Sequence, residues 1–305
     1  MNEADKTGRP LAKRSFLTNP KVVPYVFIAP FLIFFLVIYL YPFVTTILMS
    51  FQKIDGPNSV EWVGTANYQK MFNRNFKQAL ATTFRYAFWD VVVLTIVPLI
   101  FAVILNSSHV KFPSFFKSLY FIPALTSTIV VGIVFRLAFG TLETAPANRL
   151  LALFGQPPKD WLMFPDSGNF VLILLTLWRW MGVNIIYYIS GLQAIPNDLY
   201  EAAKIDGAGW WQSFFHVTIP MLAPSFTICI VGITTGSLKV YDLMVSSTQG
   251  GPGRASTSII YMIYETAING RQYGYGSALS ISLIFALLIV AVIQVAVLKR
   301  REIQV

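Results

Sequence analysis

The sequence predicts an all-α, polytopic membrane protein with about six transmembrane helices. Hydrophobic residues make up 55% of its 305 residues and charged residues only 12%, and the mean hydropathy is +0.60. Soluble domains carry about 25% charged residues, so this composition indicates a protein embedded in lipid. A span needs roughly 20 apolar residues. The chain therefore has room for about six spans with modest loops, and none for a separate soluble enzyme domain.

Six apolar segments are long enough to cross a bilayer. Pro or Gly interrupts several of them, which is tolerated in a membrane where neighbouring helices satisfy the backbone. The predicted spans cover residues 25–50, 83–105, 115–138, 169–192, 219–240 and 277–298.

The first apolar segment is predicted to stay in the protein as a span, although it follows a basic leader like that of a signal peptide. No charge occurs between Lys21 and Lys53. That stretch is far longer than the apolar region of a signal peptide, about 7–15 residues, and no A-x-A cleavage signal follows it. We therefore expect a basic tail at 1–24, a transmembrane domain at 25–298 and a second tail at 299–305.

The distribution of Lys and Arg predicts the orientation. With an even number of spans both termini share a side, which carries eleven Lys and Arg, against eight on the other side and four in or near spans. Cytoplasmic loops are enriched in positive charge, so we expect both termini and the loop at 193–218 in the cytoplasm of a bacterial cell. The formal net charge of +9 clusters only at the two ends, which is typical of contacts with anionic membrane lipid and not of nucleic-acid binding.

Several kinds of chemical site are missing from the sequence. The dipeptide Gly-Lys never occurs, so there is no P-loop, and Gly250-Gly251-Pro252-Gly253 is a run of turn formers. His109 and His216 lack metal-ligand spacing, and Cys229, as the single cysteine, cannot form a disulfide within the chain. We therefore expect no catalytic residue, metal or cofactor on this chain.

The polar loop between the fourth and fifth spans is the most informative segment. It contains Glu201-Ala202-Ala203, then Gly207 four residues after the second Ala, then nine residues before Val217-Thr218-Ile219-Pro220. This pattern resembles the coupling loop of binding-protein-dependent ABC import permeases. The alternative is an ordinary amphipathic loop helix.

Further motifs extend the resemblance along nearly the whole chain. Trp62-Val63-Gly64 with Asn67-Tyr68 resembles the first external loop of sugar permeases, residues 115–123 resemble the entry to their third span, and residues 273–278 resemble the approach to their last one. The chain is therefore similar to the maltose-type carbohydrate permeases. The run Trp178–Asn184 is most similar to Gram-positive permeases for arabino-oligosaccharides or related sugars.

This resemblance implies the type I permease fold of ABC importers and a set of partners. These are a second related permease in a heterodimer, two copies of a cytoplasmic ATPase that bind ATP and Mg, and an extracellular sugar-binding protein. The loop residues that the resemblance assigns to ATPase coupling are Glu201, Ala202, Ala203, Asp206 and Gly207.

The chemistry of the loop agrees with such a contact. Asn197 or Asp198 is a suitable N-cap, with Glu201 at capping-box spacing from Asp198, and Gly207 is a suitable residue to end the helix. The two alanines give a slim face, and the carboxylates of Glu201 and Asp206 suit basic partner residues, unless they are plain solvated charges. A second helix is expected to be anchored at the membrane interface by Trp210, Trp211, Phe214 and Phe215.

The resemblance also places substrate contacts in two spans. Counting from the two motifs that flank these spans gives one set in the fourth span and one in the fifth. The candidate substrate-binding residues are Thr176, Arg179, Trp180, Val183, Asn184, Ile233, Gly236, Ser237 and Val240.

The residue types in the fourth span suit a carbohydrate cavity. A charge inside a span is expensive and usually functional, so Arg179 and Asn184 are expected to face a cavity, although Arg179 could serve as an interhelical hydrogen-bonding residue. Trp178 and Trp180 could stack on sugar faces or could pack within the bundle.

The fifth span carries Gly232-x-x-x-Gly236, which predicts close approach of another helix. A cavity that includes Trp180, Asn184 and Ser237 requires the fifth helix to be broken or tilted near these glycines.

Two other functional classes fit the sequence less well. A secondary transporter would show paired broken helices in symmetric halves, and the sequence has no internal repeat. An intramembrane enzyme would need a nucleophile with a base or a metal motif, and neither is present.

Overall fold

The computed structural model describes residues 22–56, 59–107, 110–162, 165–251 and 256–299. Within these residues, four continuous helices are long and apolar enough to cross a membrane, and two bent helix pairs raise the number to six if each pair is one span. This confirms the predicted helical membrane fold. The expected tails at 1–24 and 299–305 lie largely outside the described residues.

The first span, Val23–Ser50, is followed by a short hairpin. The span consists of the α-helix Val23–Phe35, the π-helical turn Leu36–Leu40 and the α-helix Tyr41–Ser50. Strands β1 (Gln52–Gly56) and β2 (Ser59–Trp62) then pair antiparallel. This hairpin was not predicted from the sequence, because its strands are too short to show a clear alternation.

The second span, Arg74–Asn106, begins well before the expected residue 83. Its helix starts after the short helix Ala66–Met71. The side chain of Asn73 accepts a hydrogen bond from the Phe76 amide at 2.9 Å and so caps the helix. This cap stabilises a helix start that lies ahead of the apolar part of the span.

The third expected span is a bent pair and not one straight helix. Pro113–Leu125 and Thr128–Ala138 meet at 97°, with Thr126 and Ser127 in extended conformations. The hydroxyl of Thr126 donates to the Pro123 carbonyl at 2.6 Å. The Thr126 amide donates to the same carbonyl at 3.2 Å, so the backbone and the side chain of Thr126 together close the end of the first helix.

The fourth span lies in the helix Pro165–Gln193, and the loop helix Asn197–Ile205 follows it. The fifth span starts at Trp210, earlier than expected, and bends by 65° between Trp210–Met221 and Ala223–Leu238. The bend lies beside Pro224, which lacks the N–H that would bond to the carbonyl four residues earlier. Of the two expected alternatives, a break or a tilt near Gly232 and Gly236, the break does not occur, because the helix Ala223–Leu238 is continuous through both.

The first part of the fifth span changes helix type twice along its length. It consists of the α-helix Trp210–Ser213, the π-helical turn Phe214–Thr218 and the α-helix Ile219–Met221.

Shorter elements complete the fold. The last span lies in the helix Tyr273–Lys299 and packs on the second half of the first span. The remaining elements are the α-helices Pro146–Leu153, Asp242–Ser247 and Ile259–Tyr264 and the π-helical turn Glu265–Asn269.

The second, fourth and fifth spans form the centre of the bundle. They pack around a buried apolar cluster that includes Leu94, Ile185 and Leu222. Gly182 of the fourth span lies so close to the backbone of Tyr120 that a Cβ atom would overlap it. The missing side chain therefore lets the helix Pro113–Leu125 approach the fourth span.

Candidate functional site

A cavity of about 430 Å³ lies between the second, fourth and fifth spans. The chain just after the fifth span, around Lys239 and Asp242, also lines it. The structure places every candidate substrate-binding residue on the wall of this one cavity: Thr176, Arg179, Trp180, Val183, Asn184, Ile233, Gly236, Ser237 and Val240. Whether they contact a substrate remains a prediction.

Asp90 of the second span brings a carboxyl group to the cavity wall. Its side chain is only 1% exposed. The Ser237 hydroxyl donates to its Oδ2 across the two spans, while its Oδ1 has no hydrogen-bond partner. A buried polar atom without a partner is costly, and Asp90 lines the cavity, so Asp90 is a candidate contact for a ligand.

Arg179 brings a guanidinium group to the same cavity. The side chain is 9% exposed, and its guanidinium lies 5.4 Å from the centre of the Trp180 ring. Its Nη1 is buried without a hydrogen-bond partner. The cavity thus offers both an acceptor and a donor that the described residues leave unsatisfied.

Neighbouring polar side chains are held in place by the helices. The Tyr86 hydroxyl is hydrogen-bonded to the Thr176 hydroxyl at 2.6 Å, and Thr176 donates to the Leu172 carbonyl at 2.9 Å. Asn184 donates to the Trp180 carbonyl at 3.0 Å. Its side-chain oxygen can still accept, so the cavity has a mixed polar and aromatic wall.

The structure corrects one expectation about these spans and decides between the two alternatives for Trp178. Gly232 and Gly236 both line the cavity, and no atom lies within 4 Å of a Cβ added to either one. The sequence had predicted close helix packing at these glycines. They instead leave open space in the cavity. Trp178 packs on Phe135 with ring centres 5.9 Å apart and is not among the residues that line the cavity, so stacking on a substrate falls to Trp180.

The second span adds Tyr86, Asp90 and Leu94 to the cavity wall, a contribution that was not predicted from the sequence. A signal was available for Asp90, because it is a carboxylate within the predicted span at 83–105. An ionisable residue inside a membrane is by default a functional candidate. Tyr86 lies one helical turn before it and gave no separate signal.

The loop helix Asn197–Ile205 stands out from the bundle. It has no buried residue, and Ile205 is 86% exposed. The Tyr200 hydroxyl is hydrogen-bonded to the Thr218 hydroxyl at 2.9 Å, which ties the helix to the start of the fifth span. Glu201, Ala202, Asp206 and Gly207 are exposed, and Ala203 is half-buried.

The ends of the loop helix agree only in part with the sequence. Pro196 occupies the N-cap position with no side-chain hydrogen bond, so the expected caps from Asn197 or Asp198 are wrong. Pro196 fixes its own φ and is followed directly by the first turn.

At the C-terminal end, Gly207 has φ +78°. The amides of Gly207 and Ala208 donate to the carbonyls of Lys204 at 3.1 Å and Ala203 at 2.9 Å. This is the glycine-terminated Schellman arrangement, so the expected stop at Gly207 is confirmed.

An exposed aromatic group follows the loop helix. The rings of Trp210 and Phe214 stack with centres 5.3 Å apart, and Trp211 stacks on Phe215 at 6.1 Å. Trp210, Trp211 and Phe215 are exposed, as expected of residues at a membrane–water interface.

Comparison with known proteins identifies the family. The family model for the binding-protein-dependent transport system inner membrane component matches residues 99–303. The chain belongs to this family. The resemblance stated from the motifs is therefore confirmed.

Individual relatives match most of this chain. It is 42% identical over 281 residues to the arabinooligosaccharides transport system permease protein AraP of Bacillus subtilis, which covers 92% of this chain and 90% of the relative. It is 32% identical over 259 residues to the trehalose/maltose transport system permease protein MalF of Thermococcus litoralis. This match covers 84% of this chain and 87% of the relative.

A solved structure shows the same fold. In the crystal structure of a bacterial alginate ABC transporter in complex with an alginate pentasaccharide-bound periplasmic protein, one chain superposes with a TM-score of 0.82. The match covers 95% of this component and 99% of that chain at 20% identity. The type I importer fold expected from the resemblance is thus shown.

Proposed function

We infer that this chain is the membrane-spanning permease subunit of an ATP-driven ABC importer for a sugar or oligosaccharide. The observation that carries the proposal is the cavity between the second, fourth and fifth spans. It combines the unsatisfied acceptor of Asp90, the unsatisfied donor of Arg179 and the exposed ring of Trp180. Hydroxyl groups both donate and accept hydrogen bonds, and sugar rings have apolar faces, so a neutral carbohydrate fits this wall.

An arabino-oligosaccharide is the substrate that the comparisons favour. The relative named for arabinooligosaccharide transport is 42% identical to this chain. The relative named for trehalose and maltose is 32% identical. A substrate of this class is neutral and rich in hydroxyls, which suits a cavity wall that has both an unsatisfied acceptor and an unsatisfied donor.

The partners follow from the family. The proposed importer contains this chain, a second related permease, two copies of a cytoplasmic ABC ATPase and an extracellular sugar-binding protein. ATP and Mg bind to the ATPase, and this chain holds no cofactor. The solved alginate transporter includes a periplasmic protein that carries the sugar, which supports delivery by a binding protein here.

The loop helix is the proposed contact with the ATPase. Its surface carries Glu201, Ala202, Ala203, Asp206 and the turn at Gly207, and it stands out from the bundle without buried residues. An exposed apolar tip at Ile205 and nearby carboxylates suit a groove with basic rims. The hydrogen bond between Tyr200 and Thr218 would pass movement of the loop helix to the fifth span, which lines the cavity.

The proposed location is the bacterial cell membrane, with both termini and the loop at 193–218 in the cytoplasm. The excess of Lys and Arg on that side, eleven against eight, supports this orientation. The same orientation places the loop helix where a cytoplasmic ATPase can reach it.

Reconstitution of the importer tests the proposal. Trp180→Ala should raise the half-saturation concentration for uptake of arabinotriose about tenfold, because a ring contact in the cavity is lost. Basal ATPase activity of the complex should stay unchanged, since the loop helix is untouched. Trp178→Ala is the matched control and should leave the half-saturation concentration near that of the wild type, because Trp178 packs on Phe135.

Two results would contradict the proposal. Equal effects of the two tryptophan variants would mean that the cavity does not hold the sugar. Appreciable ATP hydrolysis by this chain purified alone would remove it from the role of a permease that depends on a separate ATPase.

A further inference from the structure

A second cavity, of about 320 Å³, lies apart from the first, where the first span leads into the hairpin. Its wall consists of β1, the short helix Ala66–Met71 and the start of the last span. The polar residues on this wall are Lys53, Asn67, Lys70, Gln272 and Tyr275. The proposed function uses none of them.

Fixed backbone contacts build this cavity. The side-chain amide of Asn67 donates to the carbonyls of Ser50 and Gln52, both at 2.9 Å. Gly274 of the last span lies so close to the Gln52 carbonyl that a Cβ atom would overlap it. The end of the first span, the hairpin and the start of the last span are therefore held together around the cavity without a ligand.

The charge of the cavity is positive. Two lysines line it, and no Asp or Glu is among its described lining residues. Lys53 lies opposite the carboxylate of Glu61 across the hairpin, which offsets its charge. Lys70 is therefore the main cation for binding an anion. Its Nζ donates to Gln272 Oε1 at 3.1 Å and lies 4.6 Å from the centre of the Tyr275 ring. An ammonium group has three N–H donors, so the contact with one neutral amide leaves donors for an anion.

The position of the cavity indicates where that anion comes from. Ser50 ends one span and Tyr273–Val297 forms another, so the cavity lies at the level where lipid headgroups meet water. Just inside this level Leu48 and Met49 of the first span are exposed, which provides apolar surface for acyl chains. A lysine near a membrane surface attracts anionic lipid.

We propose that this cavity binds the phosphate group of an anionic phospholipid, with Lys70 as its main contact. Tyr275 forms the apolar side of the site, and its hydroxyl accepts a hydrogen bond from Asn73 at 3.1 Å, which fixes the ring. A bound lipid would bridge the first and last spans.

Site-resolved cross-linking tests this proposal. The full chain in its complex is placed in nanodiscs with a phosphatidylglycerol that carries a photoreactive acyl chain, and the cross-links to the first and last spans are counted by mass spectrometry. Lys70→Gln should lower these cross-links about fivefold, and Lys70→Arg should retain them because the charge is kept. Lys77→Gln is the matched control, since Lys77 does not line the cavity, and it should label like the wild type.

Several outcomes would overturn the proposal. Equal labelling of the wild type and Lys70→Gln, or equal loss with Lys77→Gln, would mean that Lys70 does not bind the headgroup. Equal labelling by a photoreactive phosphatidylcholine would show that the negative charge of the lipid is irrelevant. Displacement of the probe by millimolar inorganic phosphate would assign the site to a free anion. Elution of Lys70→Gln with the complex in size-exclusion chromatography shows that the variant is folded.

Discussion

At the scale of single residues, two of the ionisable side chains on the cavity wall do not pair with each other. Asp90 and Arg179 each keep one buried polar atom without a partner. Leaving a buried donor or acceptor unsatisfied costs about 1–3 kcal/mol. A protein that keeps two such atoms on one wall gains binding free energy when a ligand with hydroxyl groups satisfies both.

Asp90→Asn should weaken sugar binding without unfolding the protein. The amide has the same shape and its oxygen can still accept from Ser237, while the second oxygen is replaced by an N–H donor, and losing a buried hydrogen-bond acceptor costs about 1–3 kcal/mol. We expect the half-saturation concentration for arabinotriose uptake to rise about 10–100-fold. Glu143→Gln, at an exposed carboxylate outside the cavity, is the control. If Asp90→Asn had the same half-saturation concentration for uptake as the wild type, the role of Asp90 would be limited to holding Ser237 in place.

At the scale of elements, glycines with different surroundings have different roles. Gly182 permits close packing with the backbone of Tyr120, whereas Gly232 and Gly236 face open space. The sequence alone suggested the packing role for the pair in the fifth span. A glycine's neighbours, and not its spacing, decide whether it brings helices together or leaves a cavity.

Gly182→Ala should therefore destabilise the protein, and Gly232→Ala should not. The new methyl group at 182 would overlap the Tyr120 backbone and force the helix Pro113–Leu125 outward, at a cost of about 1–3 kcal/mol. The apparent Tm of the purified protein in detergent should fall for Gly182→Ala and stay unchanged for Gly232→Ala. Similar Tm values for the two variants would contradict the close approach of these helices.

The turn that ends the loop helix gives a second prediction at this scale. No atom lies within 4 Å of a Cβ at Gly207, so its positive φ is the only constraint. A β-branched residue rarely adopts this conformation, whereas Asn often does. Gly207→Val should reduce co-purification of the ATPase and abolish transport, while Gly207→Asn should retain both. Normal transport by Gly207→Val would show that this turn is not part of the coupling contact.

At the scale of the whole molecule, the two ends of the transport path belong to the same helices. The fourth span lines the cavity and leads directly into the loop helix, and the fifth span returns from it through a bend of 65° at Leu222. A shift of the loop helix, tied to Thr218 by Tyr200, would reach the cavity through this bend. The arrangement suits a subunit that moves a substrate when a separate ATPase moves the loop.

The orientation in the membrane can be checked by cysteine labelling in a Cys229→Ser background. Ser15→Cys in the N-terminal tail and Lys204→Cys on the loop helix should react with a membrane-impermeant maleimide only after lysis. Glu143→Cys should react in intact cells, because it lies between the third and fourth spans on the opposite side. Labelling of Ser15→Cys in intact cells would reverse the topology.

The sequence by itself determined the helical membrane fold, the family and the residues of the loop. Composition and long apolar runs depend on local chemistry, and the loop motif is contiguous in the chain. Counting from that motif, and from Gly250-Gly251-Pro252 for the fifth span, also selected nine residues that the structure places on one cavity wall, because four or five residues of a helix that share a face keep their spacing wherever the helix packs.

Only the tertiary structure decided what those residues face. It set the bends at Thr126 and Leu222 and the exposure of Gly232 and Gly236, and it brought Asp90 to Ser237 across 147 positions in sequence. Contacts between distant helices depend on packing that no local pattern encodes. Membrane helices also lack a hydrophobic stripe that would show which side faces its neighbours, since lipid and bundle interior are equally apolar.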